Sequence, residues 1–279
     1  MELTLDEFNR MAELIYDRIG IRFEEKKNYF LSKRVFQRIH DLNFQNFSEY
    51  IRLLKYGDNN HSEFQKLINL CTTNETYFFR DFPQLTSFGE YCLKDICSKK
   101  AEKGDYSLKI WSAGCSTGEE SYTLAIIISE ILNNTDNWSI KIIATDIDQN
   151  VLTKARMGIY PNTRMNEVPE EYIKNYFIPN GNNFLMNPKI KSMISFEHLN
   201  LLEKDKMRNK RGFDFIFCRN VLIYFDDKSR RKVVDDFYLA LEAGGYIFLG
   251  SSESLSRITT AFALKKAGSQ LVYYKEAEL

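Results

Sequence analysis

Trp111-Ser112-Ala113-Gly114-Cys115-Ser116-Thr117-Gly118-Glu119-Glu120 follows the apolar run Leu108-Lys109-Ile110-Trp111 and precedes an apolar stretch that continues to Leu132. The pattern reads as a buried strand, a glycine-containing turn and a helix. In a doubly wound sheet such a turn lies beyond the carboxyl ends of the strands, where ligands bind over helix N-termini and small side chains let them approach the main chain. The spacing is neither G-x-x-x-x-G-K-[ST] nor G-x-G-x-x-G, so a phosphate-cradling loop is not expected. Glu119 and Glu120 would repel a pyrophosphate and would suit a ligand with positive charge or hydroxyl donors. An ordinary turn, with the two acids complementing the helix dipole, accounts for the segment equally well.

Outward from this turn, Ile140-Lys141-Ile142-Ile143-Ala144 predicts the next strand, ending in Thr145-Asp146-Ile147-Asp148. A carboxylate there can accept hydrogen bonds from ribose hydroxyls, or it can cap the helix through Val151, Leu152 and Ala155. Glycine turn and carboxylate together point toward an adenosine-containing ligand. Phe213 to Cys218 predicts a later strand, followed by Arg219-Asn220-Val221-Leu222-Ile223-Tyr224-Phe225-Asp226 and a helix around Arg230 to Leu241. Arg219 and Asn220 would emerge at the same carboxyl edge, with a surface ion pair as the bland alternative for the arginine. Gly244-Gly245 leads into a strand at Tyr246 to Leu249, and Leu271 to Tyr274 is a final strand. The alternation predicts a mostly parallel sheet with helices on both faces. Residues Ile159 to Ser195 hold four of the five prolines and the run Asn180-Gly181-Asn182-Asn183, which predicts an inserted subdomain with a hairpin.

The first 72 residues read as a helical bundle. Thr4 and Glu7 form a capping box ahead of Phe8, Met11, Ile15 and Ile19, with Gly20 as the stop. A helix from Glu25 to Asp41 is expected to turn Phe36 and Ile39 inward. Asn46 and Glu49 cap a third helix with Tyr50, Ile51 and Leu54, and a fourth carries Phe64, Leu67, Ile68 and Cys71. The chain thus divides at 1–72 and 73–279. At the join, Thr72-Thr73-Asn74-Glu75-Thr76-Tyr77-Phe78-Phe79-Arg80 mixes polar donors, aromatics and an arginine, which suits either an interdomain cleft or a packed linker. Lys26, Lys27, Lys33, Arg34 and Arg38 form a basic run with no acidic residue inside it. It is either a solvated helix face or a surface that steers an acidic helical partner.

Composition narrows the classes. Of 279 residues, 44% are hydrophobic and 14% aromatic, enough for a sizeable core, and 38 basic against 38 acidic residues leave no global field for a nucleic acid. MELTLDEFNR has no apolar signal region, and no apolar run is long enough to enter a bilayer, so a cytoplasmic location is expected. Five scattered cysteines without a C-x-x-C pair read as reduced thiols. His40, His61 and His198 lie outside the four candidate segments at 72–80, 111–120, 144–148 and 218–226. No Ser/His/Asp mechanism or H-E-x-x-H metal site is visible.

Three motifs, T-T-N-E-T-Y-F-F-R at 72–80, W-S-A-G-C-S-T-G-E-E at 111–120 and F-C-R-N-V-L-I-Y-F-D at 217–226, resemble the chemotaxis receptor methyltransferases, the CheR family of protein-glutamate O-methyltransferases. The resemblance spans Leu5 to Tyr274. It implies an N-terminal all-α domain, a class I methyltransferase (Rossmann-like, doubly wound α/β) domain and a small inserted β-subdomain at about 159–195. It further implies S-adenosyl-L-methionine as donor, S-adenosyl-L-homocysteine as product, no metal, and glutamates of the cytoplasmic helical domain of transmembrane chemoreceptors as acceptors for a monomeric enzyme. By position the cofactor contacts fall on Asn74, Thr76, Arg80, Glu120, Asp146, Asn200, Leu201, Arg219 and Asn220, and Arg80 and Tyr224 match residues that orient the reacting groups. Ser121 stands where the family often has proline. The loop at Asn180 to Asn183 is short for the receptor-tether grip of some members, and Cys218-Arg219-Asn220-Val221 is unlike the N-P-P-Y motif of amine-modifying nucleic-acid enzymes. A non-catalytic module that senses the donor or scaffolds receptors is the alternative.

Overall fold

Helix α1 (Leu5–Ile19) begins on the expected capping box: Thr4 Oγ1 accepts the Glu7 N–H, and the Glu7 carboxylate accepts the Thr4 N–H at 2.9 Å. In this computed structural model, which describes residues 2–72, 74–132 and 135–277, Gly20 closes the helix at φ +69°. A Cβ there would lie 2.2 Å from Leu202 Cδ1, so the glycine also lets the helix end press against the second half of the chain. A 3-10 turn at Glu25–Lys27 leads into α2 (Asn28–Asp41), so the helix proper starts later than the sequence suggested. Its inward face is Leu31, Val35 and Ile39, while Phe36 is only half-buried. Helices α3 (Phe47–Arg52) and α4 (Ser62–Cys71) complete this unit. Asn46 caps the first, and Asp58 accepts the Glu63 and Phe64 N–H groups at 3.1 and 2.8 Å at the start of the second. Phe8, Met11, Ile15, Leu31, Val35, Tyr50 and Leu67 form its core.

Helices α5 (Phe82–Ser87) and α6 (Lys94–Ala101), joined by a wide π-type turn at Phe88–Leu93, had not been recognised in the sequence. They carry Leu85, Phe88 and Leu93 onto one face of the central sheet.

That sheet contains β1 (Ser107–Ala113) and β2 (Ser139–Asp146), and between β2 and its next strand lie β3 (Ile159–Pro161), β4 (Phe177–Asn180) and β5 (Asn183–Met186) of a separate antiparallel sheet. The central sheet continues with β6 (Ile194–His198), β7 (Phe213–Cys218), β8 (Leu241–Leu249), β9 (Ala263–Ala267) and β10 (Gln270–Tyr274), in the order β6-β2-β1-β7-β8-β10-β9. Trp111 stands opposite Ile143 on one side and Ile216 on the other, both in parallel register, whereas β10 runs antiparallel to β8 and β9. The insert is the expected hairpin subdomain, with β4 and β5 paired through Asn180 and Asn183. Ile194 and Ser195, assigned to it from sequence, belong instead to β6.

The remaining helices are α7 (Glu119–Ile131), α8 (Gln149–Met157), α9 (Glu170–Tyr176), α10 (Pro188–Ser192), α11 (Lys204–Arg208) and α12 (Asp227–Ala240). Leu241 starts β8 rather than ending α12, so the glycine pair lies inside that strand. Both sheet faces are covered, which is why the inner strands β1, β2 and β7 are buried in continuous runs and not on alternate residues. Phe215 and Phe217 pack with Phe88 and Phe248 on one face, and Phe213 and Ile216 pack with Trp111 and Phe237 on the other. The order reverses between β1 and β7. Their carboxyl ends therefore open a crevice.

Candidate active site

The crevice is a cleft of about 700 Å³ where the β1–α7, β2–α8 and β7–α12 loops meet residues Asn74 to Arg80, with Arg22, Tyr29 and Phe30 of the helical unit also lining it. All nine residues expected to contact a cofactor line it, as does Tyr224. Thr73 of the first motif lies outside the described residues.

Two glycine and loop features bring the walls together. Gly114 has φ +81°, and a Cβ on it would sit 2.3 Å from Val221 Cγ2, so only glycine lets the β1–α7 turn touch the β7–α12 loop. Ser116, left-handed at φ +48°, turns its N–H to Asp146 Oδ2 at 2.8 Å. Asp146 Oδ1 accepts the Asp148 N–H at 2.9 Å. Burial pushes the Asp146 carboxyl up to about 6, against the pull of those N–H groups. Asp148 is the helix cap, accepting the Asn150 and Val151 N–H groups at 2.8 and 3.3 Å. The cap role thus falls to Asp148, and Asp146 faces the cleft.

Thr72 Oγ1 and Asn74 Nδ2 each donate to Asp148 Oδ2 at 2.9 Å, which anchors the joining segment to the sheet. Thr76 is buried, and its carbonyl accepts a hydrogen bond from Arg164 of the insert. Glu120 Oε1 accepts the Ser112 hydroxyl at 2.7 Å, and its Oε2 lies 3.4 Å from Arg219 Nη1. Burial raises the Glu120 carboxyl, with Arg219 and Ser112 opposing the shift.

Arg219 is not the solvated surface ion pair considered from sequence. Its side chain is 4% exposed, its Nη2 donates to Arg80 O at 2.7 Å, and Asp81 stands 3.7 Å away. Its Nε is buried without a protein acceptor among the described residues. The β7–α12 loop is thereby locked to the Arg80 turn, whose neighbours Phe79 and Asp81 both have positive φ. Arg80 itself is half-buried, donates to Glu75 O at 3.2 Å and lies over the Tyr77 ring.

Asn200 lines the cleft, but its side chain is committed to the fold. Its amide donates to Arg18 O at 2.8 Å, its Oδ1 accepts the Leu202 N–H at 3.0 Å, and its carbonyl accepts the Glu203 N–H at 2.9 Å. On the same side Arg22 N–H reaches Tyr224 O at 3.4 Å, Ile21 bridges Phe225, and the Tyr16 hydroxyl donates to Asp226 at 2.8 Å.

The basic run of α2 is split by the structure. Arg38 pairs through Nε and Nη2 with buried Glu63, at 2.8 Å each, and also with Asp41. Arg34 donates to Leu70 O and Phe30 O and stacks on Phe30. Both arginines are structural members of the bundle and not free docking charges. Lys26, Lys27 and Lys33 are exposed, and the first two border the cleft. Sequence reasoning missed Glu253, which follows β8 and binds the β7–α12 loop. Its position after a strand of the doubly wound sheet was the available signal.

Among the described residues no three His, Cys, Asp or Glu side chains converge as metal ligands would, and no helix is long and apolar enough to cross a membrane. Residues 6–72 match the CheR methyltransferase all-alpha domain, and residues 74–270 match the CheR methyltransferase SAM binding domain. The chain is 38% identical over 274 residues to chemotaxis protein methyltransferase 2 of Vibrio cholerae serotype O1, covering 98% of this chain and 94% of that one. It is 36% identical over 258 residues to the chemotaxis protein methyltransferase of Borreliella burgdorferi, covering 91% and 90%. A solved N-methyltransferase, NodS from Bradyrhizobium japonicum in complex with S-adenosyl-L-homocysteine, is similar at TM-score 0.42 and 15% identity over 72% of this chain and 91% of that one. Both domains match in sequence order, and the relatives are similar over almost the entire chain: it belongs to the CheR methyltransferase family.

Proposed function

We propose that this protein transfers a methyl group from S-adenosyl-L-methionine to glutamate side chains of chemoreceptors, forming glutamate methyl esters in chemotaxis. The observation that carries this reading is the pairing of a buried carboxylate, Asp146, with Arg80 and Tyr224 in one cleft that no histidine lines among the described residues.

The donor set fits the cofactor. Asp146 accepts the Ser116 and Asp148 N–H groups and also interacts with the Ile147 N–H, and an ionised carboxylate has about four acceptor positions, so capacity remains for a ribose hydroxyl. Glu120 supplies negative charge farther along the cleft, which suits a cationic ligand. Asn74, Thr76, Arg80, Arg219 and Asn220, with the main chain of Asn200 and Leu201, complete the proposed contacts. When bound, S-adenosyl-L-methionine supplies an electrophilic methyl on a positively charged sulfur.

The acceptor needs little activation. A glutamate has a reference pKa of ~4.3, so at neutral pH it is already an ionised nucleophile and no general base is required. What the protein must do is align the acceptor and exclude water, effects reaching about 7–11 kcal/mol in favourable cases. Arg80 supplies the cation for a carboxylate in the cleft. Tyr224 orients the acceptor through its hydroxyl without taking a proton. Residues 73–279 bind donor and acceptor, while residues 1–72 present Lys26, Lys27 and Lys33 to an acidic helical receptor surface in the cytoplasm.

Incubation with methyl-labelled donor and a receptor cytoplasmic fragment should give protein-bound label that is released by mild base. Label that resists base, or none at all, would overturn ester formation.

A further inference from the structure

The loop Arg219–Phe225 brings Arg219, Asn220 and Tyr224 to the cleft, yet its only regular element is a 3-10 turn at Leu222–Tyr224. Its main-chain polar groups therefore need partners elsewhere. Glu253 meets the donors: Oε2 accepts the Asn220 N–H at 2.8 Å and the Gly250 N–H at 2.7 Å, and Oε1 accepts the Ile223 N–H at 3.2 Å. Arg230 of α12 meets the acceptors, donating from Nε to Leu222 O at 3.2 Å and from Nη2 to Phe225 O at 3.0 Å.

Two observations set the Glu253 contacts apart from general loop packing. Leu222 and Phe225 are held by burial, but Ile223 is 48% exposed, so apolar contact does little to hold the loop there. Asn220 has φ +59°, a conformation a non-glycine residue keeps only where its surroundings impose it. Gly250 supplies part of that constraint, since a Cβ on it would lie 2.9 Å from Asn220 N and 2.8 Å from Glu253 Oε2.

We propose that Glu253 is a positioning residue for methyl transfer. By accepting N–H groups at both Asn220 and Ile223, one carboxylate spans the turn ahead of Tyr224 and sets where that hydroxyl stands. Glu253 does not line the cleft, so it acts through the loop and not on a ligand. The inference rests on the methyl-transfer reading above and adds a residue to it.

Glu253→Gln tests it, because an amide offers a single carbonyl oxygen and sets an NH2 against one of the loop donors. Amide exchange at Asn220 and Ile223 should accelerate by roughly tenfold or more, while the β1 and β2 amides keep their protection. The kcat should fall roughly ten- to a hundredfold. In a cycle with Tyr224→Phe the losses should overlap, the double variant being about as slow as the slower single one. Unchanged exchange at the two amides, or losses that multiply fully, would overturn the proposal. If Glu253→Gln loses cooperative unfolding, Glu253→Asp provides the same two readouts with the charge retained. A wild type that protects both amides yet transfers no methyl would overturn the functional reading and the role assigned to the clamp, while showing that the clamp itself exists.

Discussion

On the floor of the cleft, Arg219 and Asp146 are buried and hydrogen-bonded to surrounding main chain; Lys26 and Lys27 on its rim, and Lys33 beyond it, stand in solvent. The floor is held by contacts such as Arg219 to Arg80 O and Asp146 to the Ser116 N–H, while burial shifts the Asp146 and Glu120 carboxyl groups upward against those contacts. The rim has one exposed ion pair, Lys26 with Glu24, of the kind that contributes little. On the proposed reading, charge in the interior sets structure and affinity, whereas charge at the surface influences approach. α2 contains both kinds, since Arg38 is sequestered by Glu63 while Lys33, five residues earlier, is exposed.

The strongest way to break this contrast is at Arg219. Arg219→Ala should cost about 3–5 kcal/mol of unfolding free energy at neutral pH, because Glu120 loses its cation while remaining enclosed. The deficit should shrink as pH falls and Glu120 takes up a proton, which denaturant titrations at several pH values would show. A loss below 1 kcal/mol would place Arg219 among the rim charges.

Asp146 sharpens the comparison through pH. Its folded pKa, about 6, exceeds its ordinary 3.8, so its contribution to stability is fully present below 3.8 and is lost as pH rises through 6. Ligand binding should run the other way, since hydroxyls donate to the ionised form. Affinity for S-adenosyl-L-homocysteine should rise as pH increases through 6 and then level off. Asp146→Ala should remove that step and weaken binding by about 1–3 kcal/mol. Calorimetry at pH 5 and 7.5 reads both effects, and a flat profile in the wild type would remove Asp146 from the ligand.

Tyr224 lies between floor and rim. Tyr224→Phe should lower kcat by roughly tenfold with little change in donor-product affinity, as expected for a group that acts on acceptor alignment. Equal effects on turnover and donor affinity would reassign it to donor binding.

The smallest effect belongs to the rim. Replacing Lys27 and Lys33 by glutamate should raise the KM for a receptor fragment by a few fold, equivalent to about 0.2–1 kcal/mol per charge, and the difference should fade in high salt. Affinity for S-adenosyl-L-homocysteine should stay unchanged. A salt-independent defect would show that these lysines pack and do not steer.

Much of the sheet was legible because its signals are local. The strand at Leu108 to Trp111, the glycine turn after it and the apolar helix beyond form one continuous pattern, as do the capping box at Thr4 and the strand at Phe213 to Cys218. Helices α5 and α6 were not legible, because two short helices joined by a π-type turn have no sustained period. Strand β9 is similarly obscure: it is an edge with two lysines in five residues.

The sequence by itself determined the alternating α/β order, the helical unit ahead of it, the insert and the short segments from which the cleft is built. These follow from apolar periodicity, glycine placement and capping, which act between residues a few positions apart. Only the tertiary structure decided what each charge does. The residue pattern left either Asp146 or Asp148 as the helix cap until the Ser116 N–H met one and the start of α8 met the other. Arg38 looked like a docking charge until Glu63 came within 2.8 Å, and Glu253, marked only by its place after a strand, had no assigned role until its carboxylate met Asn220. The physical reason is that burial and pairing decide the behaviour of a charge, and both are set by chain segments distant in sequence that meet only in the folded protein.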